Sequence, residues 1–152
     1  RTAGGRAGIA ISDPFCVNRH RNDFIEMIKN DLDFVIGNEH EIKSLYETND
    51  LEAAMSKTAD MIKLMVCTRS GDGVTIMSNG ERHDIPVNKI TPVDATGAGD
   101  QFAAGFIYGM VTGRDLETCG KMGNLCAAEV ISHIGPRPAT DMRREFARAR
   151  LE

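Results

Sequence analysis

Hydrophobic positions along the chain fall into short apolar runs that alternate with stripes at helical spacing. Residues 7–12 alternate small and apolar side chains and then meet Asp13-Pro14, which reads as a strand closed by a turn. Phe24, Ile25 and Ile28 follow at helical spacing within residues 22–30. Phe34-Val35-Ile36 is the size of an interior strand that ends at Gly37-Asn38. Leu51, Ala54, Met55, Thr58 and Ile62 share one face of a helix over 51–62, and residues 64–68 are apolar enough for another interior strand. Asn79-Gly80 sits between two strand-like arms within 74–87. That pair suits a two-residue type I′ turn, so a β-hairpin is predicted there. Small and aromatic residues fill 101–111, and an apolar helix over 116–133 is stopped by Gly135-Pro136 and Pro138. A last helix over 140–151 sets Met142, Phe146 and Ala147 against an Arg-rich face. Strands alternating with helices predict a layered α/β protein with a mostly parallel sheet.

Composition narrows the picture. A length of 152 residues with 41% hydrophobic positions suits one domain with a proper core, and no linker or repeat interrupts it. Eighteen basic residues against 22 acidic ones give a net charge of −4, with no basic run longer than Arg143-Arg144, so nucleic acid is not an expected partner. No apolar run approaches the roughly 20 residues that cross a bilayer, and no signal-type segment opens the chain, so a soluble cytoplasmic protein without a membrane partner is expected. Cys16, Cys67, Cys119 and Cys126 form no C-x-x-C pair and have apolar neighbours, which predicts buried, reduced thiols. His20, His40, His83 and His133 show no metal-ligand spacing; surface or capping roles suffice.

Candidate chemistry is densest at Asp94-Ala95-Thr96-Gly97-Ala98-Gly99-Asp100, between a strand end and a helix start. Small residues let backbone N–H groups approach an anion, and the helix N-terminus adds partial positive charge, so phosphate is the natural ligand. The segment is neither a Walker A loop, lacking Gly-Lys-Ser/Thr, nor a dinucleotide fingerprint, since Asp100 stands where a third glycine is sought. A carboxylate beside an anion pocket repels phosphate and needs a reason. One is that Asp100 orients and deprotonates a hydroxyl that attacks a phosphoryl group held by the amides of Gly97, Ala98 and Gly99. The other is that Asp100 caps the helix and the glycines make a tight turn.

Asn38 and Glu41 stand three residues apart at the start of a helix. They fit the water shell of Mg²⁺, but a capping box explains the spacing better. Thr68-Arg69-Ser70-Gly71-Asp72-Gly73 follows a strand and suits either a nucleotide-lining loop or a surface turn.

Taken together these residues resemble the C-terminal half of the ribokinase-like, or PfkB, carbohydrate kinases. Asp94 to Asp100 is similar to the family signature, Asn38-x-x-Glu41 to its magnesium motif, and Thr68 to Gly73 to its nucleotide loop. Gly123-Asn124-Leu125-Cys126-Ala127-Ala128 resembles the helix lining the adenine pocket, with Asn124 facing the base. The resemblance implies a three-layer α/β/α ribokinase-like fold, of which residues 1–152 are the C-terminal part. It implies ATP-dependent phosphoryl transfer to an alcohol of a small-molecule sugar or nucleoside, with ATP and Mg²⁺ as cofactors. Asp100 would be the catalytic base, and Gly97, Ala98 and Gly99 the anion hole. Thr68, Ser70, Gly73 and Asn124 would bind ATP, Asn38 and Glu41 would hold Mg²⁺ through water, and Asp94 and Thr96 would contribute to a monovalent cation site for K⁺.

Ser12-Asp13-Pro14-Phe15-Cys16-Val17-Asn18-Arg19-His20, Thr68-Arg69-Ser70 and Ile131-Ser132-His133-Ile134-Gly135 resemble bacterial members described as adenosine kinases or sugar kinases. Ser70 stands where many sugar-kinase relatives carry glycine, and Ala95 where many carry threonine, which points away from ribokinase proper. Family members run to about twice this length. Their N-terminal half carries the acceptor-binding motif and the lid through which many relatives dimerise. A homodimer is therefore an expectation for the full-length protein, and the isolated chain is expected to lack turnover. The competing reading is a nucleotide-binding or interaction module without catalysis. A dinucleotide-dependent oxidoreductase is disfavoured by the absent third glycine and ribose-binding acid.

Overall fold

Asp13 opens the first helix of the protein, where the sequence suggested only the end of a strand. The computed structural model describes residues 4–152. After β1 (Gly8–Ala10), the Asp13 side chain accepts a hydrogen bond from the Phe15 N–H and Pro14 occupies the first helical position. Helix α1 therefore runs Pro14–Asn30, broken by the non-helical backbone of His20 (φ −128°, ψ 30°). Proline is suited to that first position because its missing N–H has no acceptor there anyway. Polar Asn18, Arg19, His20 and Arg21 hid this first half from an apolar-spacing argument.

Then follow β2 (Phe34–Asn38), α2 (Glu39–Ser44), α3 (Leu51–Ala59), β3 (Leu64–Thr68), a 3-10 turn (Ser70–Asp72), β4 (Val74–Ser78) and β5 (Glu81–Ile85). The rest is helical: α4 (Ala98–Val111), α5 (Leu116–Val130) and α6 (Met142–Arg148). Three helices end earlier than the sequence suggested, α3 at Ala59, α5 at Val130 and α6 at Arg148, and α4 begins three residues earlier, at Ala98. No helix among the described residues is long and apolar enough to cross a membrane.

The sheet order is β1-β2-β3-β4-β5. β1, β2 and β3 are parallel, with Ala10 opposite Ile36 and Asn38 opposite Thr68. β4 and β5 form the predicted hairpin, where Asn79 (φ 52°) and Gly80 (φ 81°) both take the left-handed conformation that a type I′ turn requires. The sheet is thus mixed.

The chain divides into two compact units, one holding the chain up to Arg69 with Thr75–Arg82, the other Ser70–Val74 with His83–Glu152. In the first, Val17 and Ile28 of α1, Val35 of β2, Ile42 and Leu45, Met55 of α3 and Met65 of β3 are fully buried together. Each such side chain stabilises the fold by about 1.5–3 kcal/mol relative to exposure. At the end of β2 the first turn of α2 is closed by a capping box. Asn38 Oδ1 accepts from the Glu41 N–H at 3.0 Å, and the Glu41 carboxylate accepts from the Asn38 backbone N–H at 2.8 Å and from Asn38 Nδ2 at 2.7 Å. Glu41 is only 6% exposed, and burial pushes its carboxyl above the ordinary value against the opposing pull of the Asn38 and Ser12 backbone donors.

In the second unit α4 and α5 pack through glycine. A Cβ on Gly105 would stand 2.6 Å from the Met122 carbonyl oxygen and 2.7 Å from Cys126 Sγ, and one on Gly123 would stand 2.7 Å from the Phe102 ring. Behind this seam Met122 and Cys126 pack with Phe146 of α6, whose ring stacks on Tyr108 at 5.6 Å. Cys67, Cys119 and Cys126 are buried thiols as expected, whereas Cys16 is exposed, on the solvent side of the first turn of α1.

Two outcomes follow from this packing. Gly105→Ala forces a methyl against a helix backbone and is expected to destabilise the protein by about 1–3 kcal/mol. Urea unfolding measures it, and an unchanged midpoint would show that the helices are free to separate. For Glu41 the native state holds its proton more tightly than the unfolded chain, so its contribution to stability falls as pH climbs from below 4.5 through the raised native value. The stability of Glu41→Gln relative to wild type should therefore increase over that climb; a difference that is flat or of opposite slope contradicts it.

Candidate functional site

The segment from Asp94 to Asp100 is built by one carboxylate. Asp94 Oδ1 accepts from the Thr96 N–H at 2.9 Å and Oδ2 from the Gly135 N–H at 3.1 Å, so the two oxygens join the loop before α4 to the segment after α5. The Thr96 hydroxyl, together with these two backbone donors, holds the Asp94 carboxyl below its ordinary range. The Val93 N–H donates to the Ile131 carbonyl at 2.8 Å, and Gln101 Nε2 donates to the Pro136 carbonyl at 3.2 Å. Gly97 packs between them, with φ +82° and a Cβ position 2.8 Å from Pro136 Cβ. Only glycine satisfies both conditions.

Gly97 is the N-cap of α4 and contributes no side-chain cap, so Ala98, Gly99 and Asp100 occupy the first turn. The Ala98 N–H is directed at the Ala95 carbonyl at 3.3 Å, and Gln101 N–H donates to the Gly97 carbonyl at 2.9 Å. Among the described residues the N–H groups of Gly99 and Asp100 have no acceptor, as first-turn amides of a helix do not. The Asp100 carboxylate is exposed and makes no hydrogen bond or ion pair with them either. It does not cap α4. Nothing lies within 4 Å of a Cβ built on Gly99, so the space beside Gly99 is open. A helix start with free donors, its partial positive charge and an adjacent free carboxylate can bind an anion and orient a hydroxyl beside it.

The other predicted residues divide between the units. In the first, Asn38 and Thr68 are register partners at the C-terminal ends of β2 and β3, with Glu41 closed in its capping box. Beside them Arg69 Nε lies 3.3 Å from Glu39 Oε1. In the second, Ser70 (φ 48°) opens the 3-10 turn and its carbonyl accepts from the Gly73 N–H at 3.2 Å. Gly73 (φ +88°) passes so close to the Ile85 carbonyl oxygen that a Cβ would stand 2.0 Å from it, so a tight backbone crossing already accounts for this glycine. Asn124 Nδ2, on α5, donates to the Pro86 carbonyl at 3.4 Å. Lys89 Nζ pairs with Asp72 at 3.2 Å.

No cluster of three His, Cys, Asp or Glu side chains among the described residues could hold a metal ion. A surface pocket of about 440 Å³ in the first unit is lined by residues such as Asn18, His40, Lys43 and Glu47 and contains none of the predicted site residues.

Sequence reasoning missed the far side of the loop. Gly135 and Pro136 read structurally as a helix stop, and His133 as a surface or capping residue, although its Nε2 is buried. Their partners lie about forty positions away, and no local pattern announces them.

Comparison with known proteins agrees with this architecture. The chain is 35% identical over 121 residues to an uncharacterized sugar kinase of Archaeoglobus fulgidus, covering 78% of this chain and 47% of that protein. Among solved structures, a probable sugar kinase from Rhizobium etli matches with a TM-score of 0.96 and 40% identity over 99% of this chain and 46% of the other. The adenosine kinase of Sinorhizobium meliloti matches with a TM-score of 0.94 and 39% identity over 97% and 46%. The chain spans less than half the length of these relatives. The pattern of the pfkB family carbohydrate kinases matches residues 7–142, and the chain belongs to that family.

Proposed function

We propose that this chain carries the nucleotide-binding and catalytic part of an ATP-dependent kinase that phosphorylates an alcohol of a sugar or nucleoside. The observation that carries the reading is the free first turn of α4, with two amides unpartnered among the described residues, open space beside Gly99 and an Asp100 carboxylate committed to nothing else.

ATP supplies the phosphoryl group, and Mg²⁺ offsets charge on its oxygens. The amides of Gly99 and Asp100, with the positive end of α4, bind phosphate oxygens. The Ala98 N–H joins them by giving up its long contact to Ala95. Asp100 accepts the hydrogen bond of the acceptor hydroxyl, aims its oxygen along the line of transfer and takes its proton late, as a loose transition state allows. Thr68, Ser70, Gly73 and Asn124 are assigned to the nucleotide. Asn38 and Glu41 donate to and accept from each other, so that cap would hold Mg²⁺ only through water. Both Asp94 oxygens are taken by backbone N–H groups, which fits a structural clamp better than a ligand, and K⁺ forms no part of the proposal.

In the whole kinase of which this chain is proposed to carry a part, Asp100→Asn is expected to reduce ADP release, assayed with adenosine, other nucleosides and common sugars, by about 10²–10⁴-fold. Its melting temperature should not change, and its affinity for MgATP should stay near that of wild type. Loss of binding and turnover together would make Asp100 a structural residue, unchanged turnover would remove it from catalysis, and ATP binding without turnover in the wild type would leave a binding module. Gly99→Ala supplies the second check. A Cβ there meets no protein atom, and alanine is about 0.5–1 kcal/mol better than glycine within a helix. The variant should fold at least as stably as wild type yet bind ATP more weakly by calorimetry; equal affinity would remove phosphate from this turn.

A further inference from the structure

Glu129 is placed against its own electrostatics. It lies in the last turn of α5, where the helix dipole disfavours an acid, and its side chain is only 12% exposed. One carboxylate oxygen, Oε1, accepts from the Ala139 N–H at 2.8 Å and lies 3.4 Å from His133 Nε2. The other, Oε2, and His133 Nε2 are both buried without a hydrogen-bond partner. Such a residue needs a compensating role, and the contacts of the intervening segment supply one.

Between Glu129 and Ala139 the chain makes a loop whose neck is this single hydrogen bond. The contacts that the loop sends outward go to the catalytic segment. The Ile131 carbonyl accepts from Val93, Gly135 donates to Asp94, the Pro136 carbonyl accepts from Gln101, and the Pro136 ring confronts Gly97. We propose that Glu129 is a positioning residue: by closing the neck of the 131–139 loop it holds Gly135 and Pro136 against Asp94 and Gly97, and so fixes where the free turn of α4 begins. Its consequence for nucleotide rests on the function proposed above, whereas its consequence for loop order does not.

Amide hydrogen exchange, MgATP titration and thermal unfolding of the same chain test this. Glu129→Ala should raise exchange at Gly135 and Thr96, as well as at Ala139, by about ten-fold or more through local opening, and weaken MgATP binding by a similar factor. Glu129→Asp, one methylene short of Ala139, should loosen the same amides and serves where the alanine variant does not fold. Glu129→Gln keeps an oxygen for the Ala139 N–H and offers an N–H to His133 Nε2, so it should restore wild-type exchange and affinity. A structural role confined to the end of α5 would change exchange at Ala139 alone; that result, or a glutamine variant as loose as the alanine one, overturns the proposal. Wild-type protein that binds no MgATP would end the kinase reading, while exchange at Gly135 and Thr96 still decides the role of Glu129.

Discussion

The second unit is organised by a carboxylate that accepts two backbone N–H groups from distant parts of the chain. Asp94 joins Thr96, two residues on, to Gly135, forty-one residues on, and in doing so fixes the segment on which α4 starts. Once that segment is fixed, Gly97 must turn left-handed beneath Pro136, and the first turn of α4 is left with donors that no described residue accepts. Hydrogen bonds to an ionised acceptor are shorter and stronger than neutral ones, which suits Asp94 to a place where two loops must hold register without a core between them.

The depth of the same unit is set differently. Gly105 and Gly123 let α4 and α5 approach until backbone nearly touches side chain, and Phe102 fills the space that Gly123 leaves. A helix start must stay put if its amides are to meet a ligand, and close packing along the helix body provides that rigidity without side-chain entropy cost, against about 0.5–1 kcal/mol of backbone freedom lost at each helical glycine.

Much of this was legible in the sequence because it depends on short-range chemistry. Interior strands showed as apolar runs at Phe34 to Ile36 and Leu64 to Thr68, the hairpin as Asn79-Gly80, and the start of α4 as small residues between two acids. The Asn38–Glu41 spacing gave the capping box that is found. What escaped was of two kinds. The first half of α1 carries charged and amide side chains where an apolar stripe was sought, and only its Asp13-Pro14 start betrays it. The partners of the 94–100 segment, Gly135 and Pro136, are joined to it through space, and a single sequence has no periodicity that links positions about forty apart.

The cysteines divide the chain by reactivity. Burial pushes the Cys67 thiol up to about 12 and that of Cys126 to about 11, so at neutral pH no more than about one molecule in ten thousand carries a thiolate at either. Cys119 is enclosed against Gly109. Cys16 alone of the four faces solvent, in the first turn of α1 and three residues after the Asp13 cap. A maleimide fluorophore or spin label would therefore settle on one defined position in the native protein, and unfolding would expose the other three. The chain thus carries its own built-in reporter: the ratio of fast to slow alkylation counts folded molecules without any engineered residue.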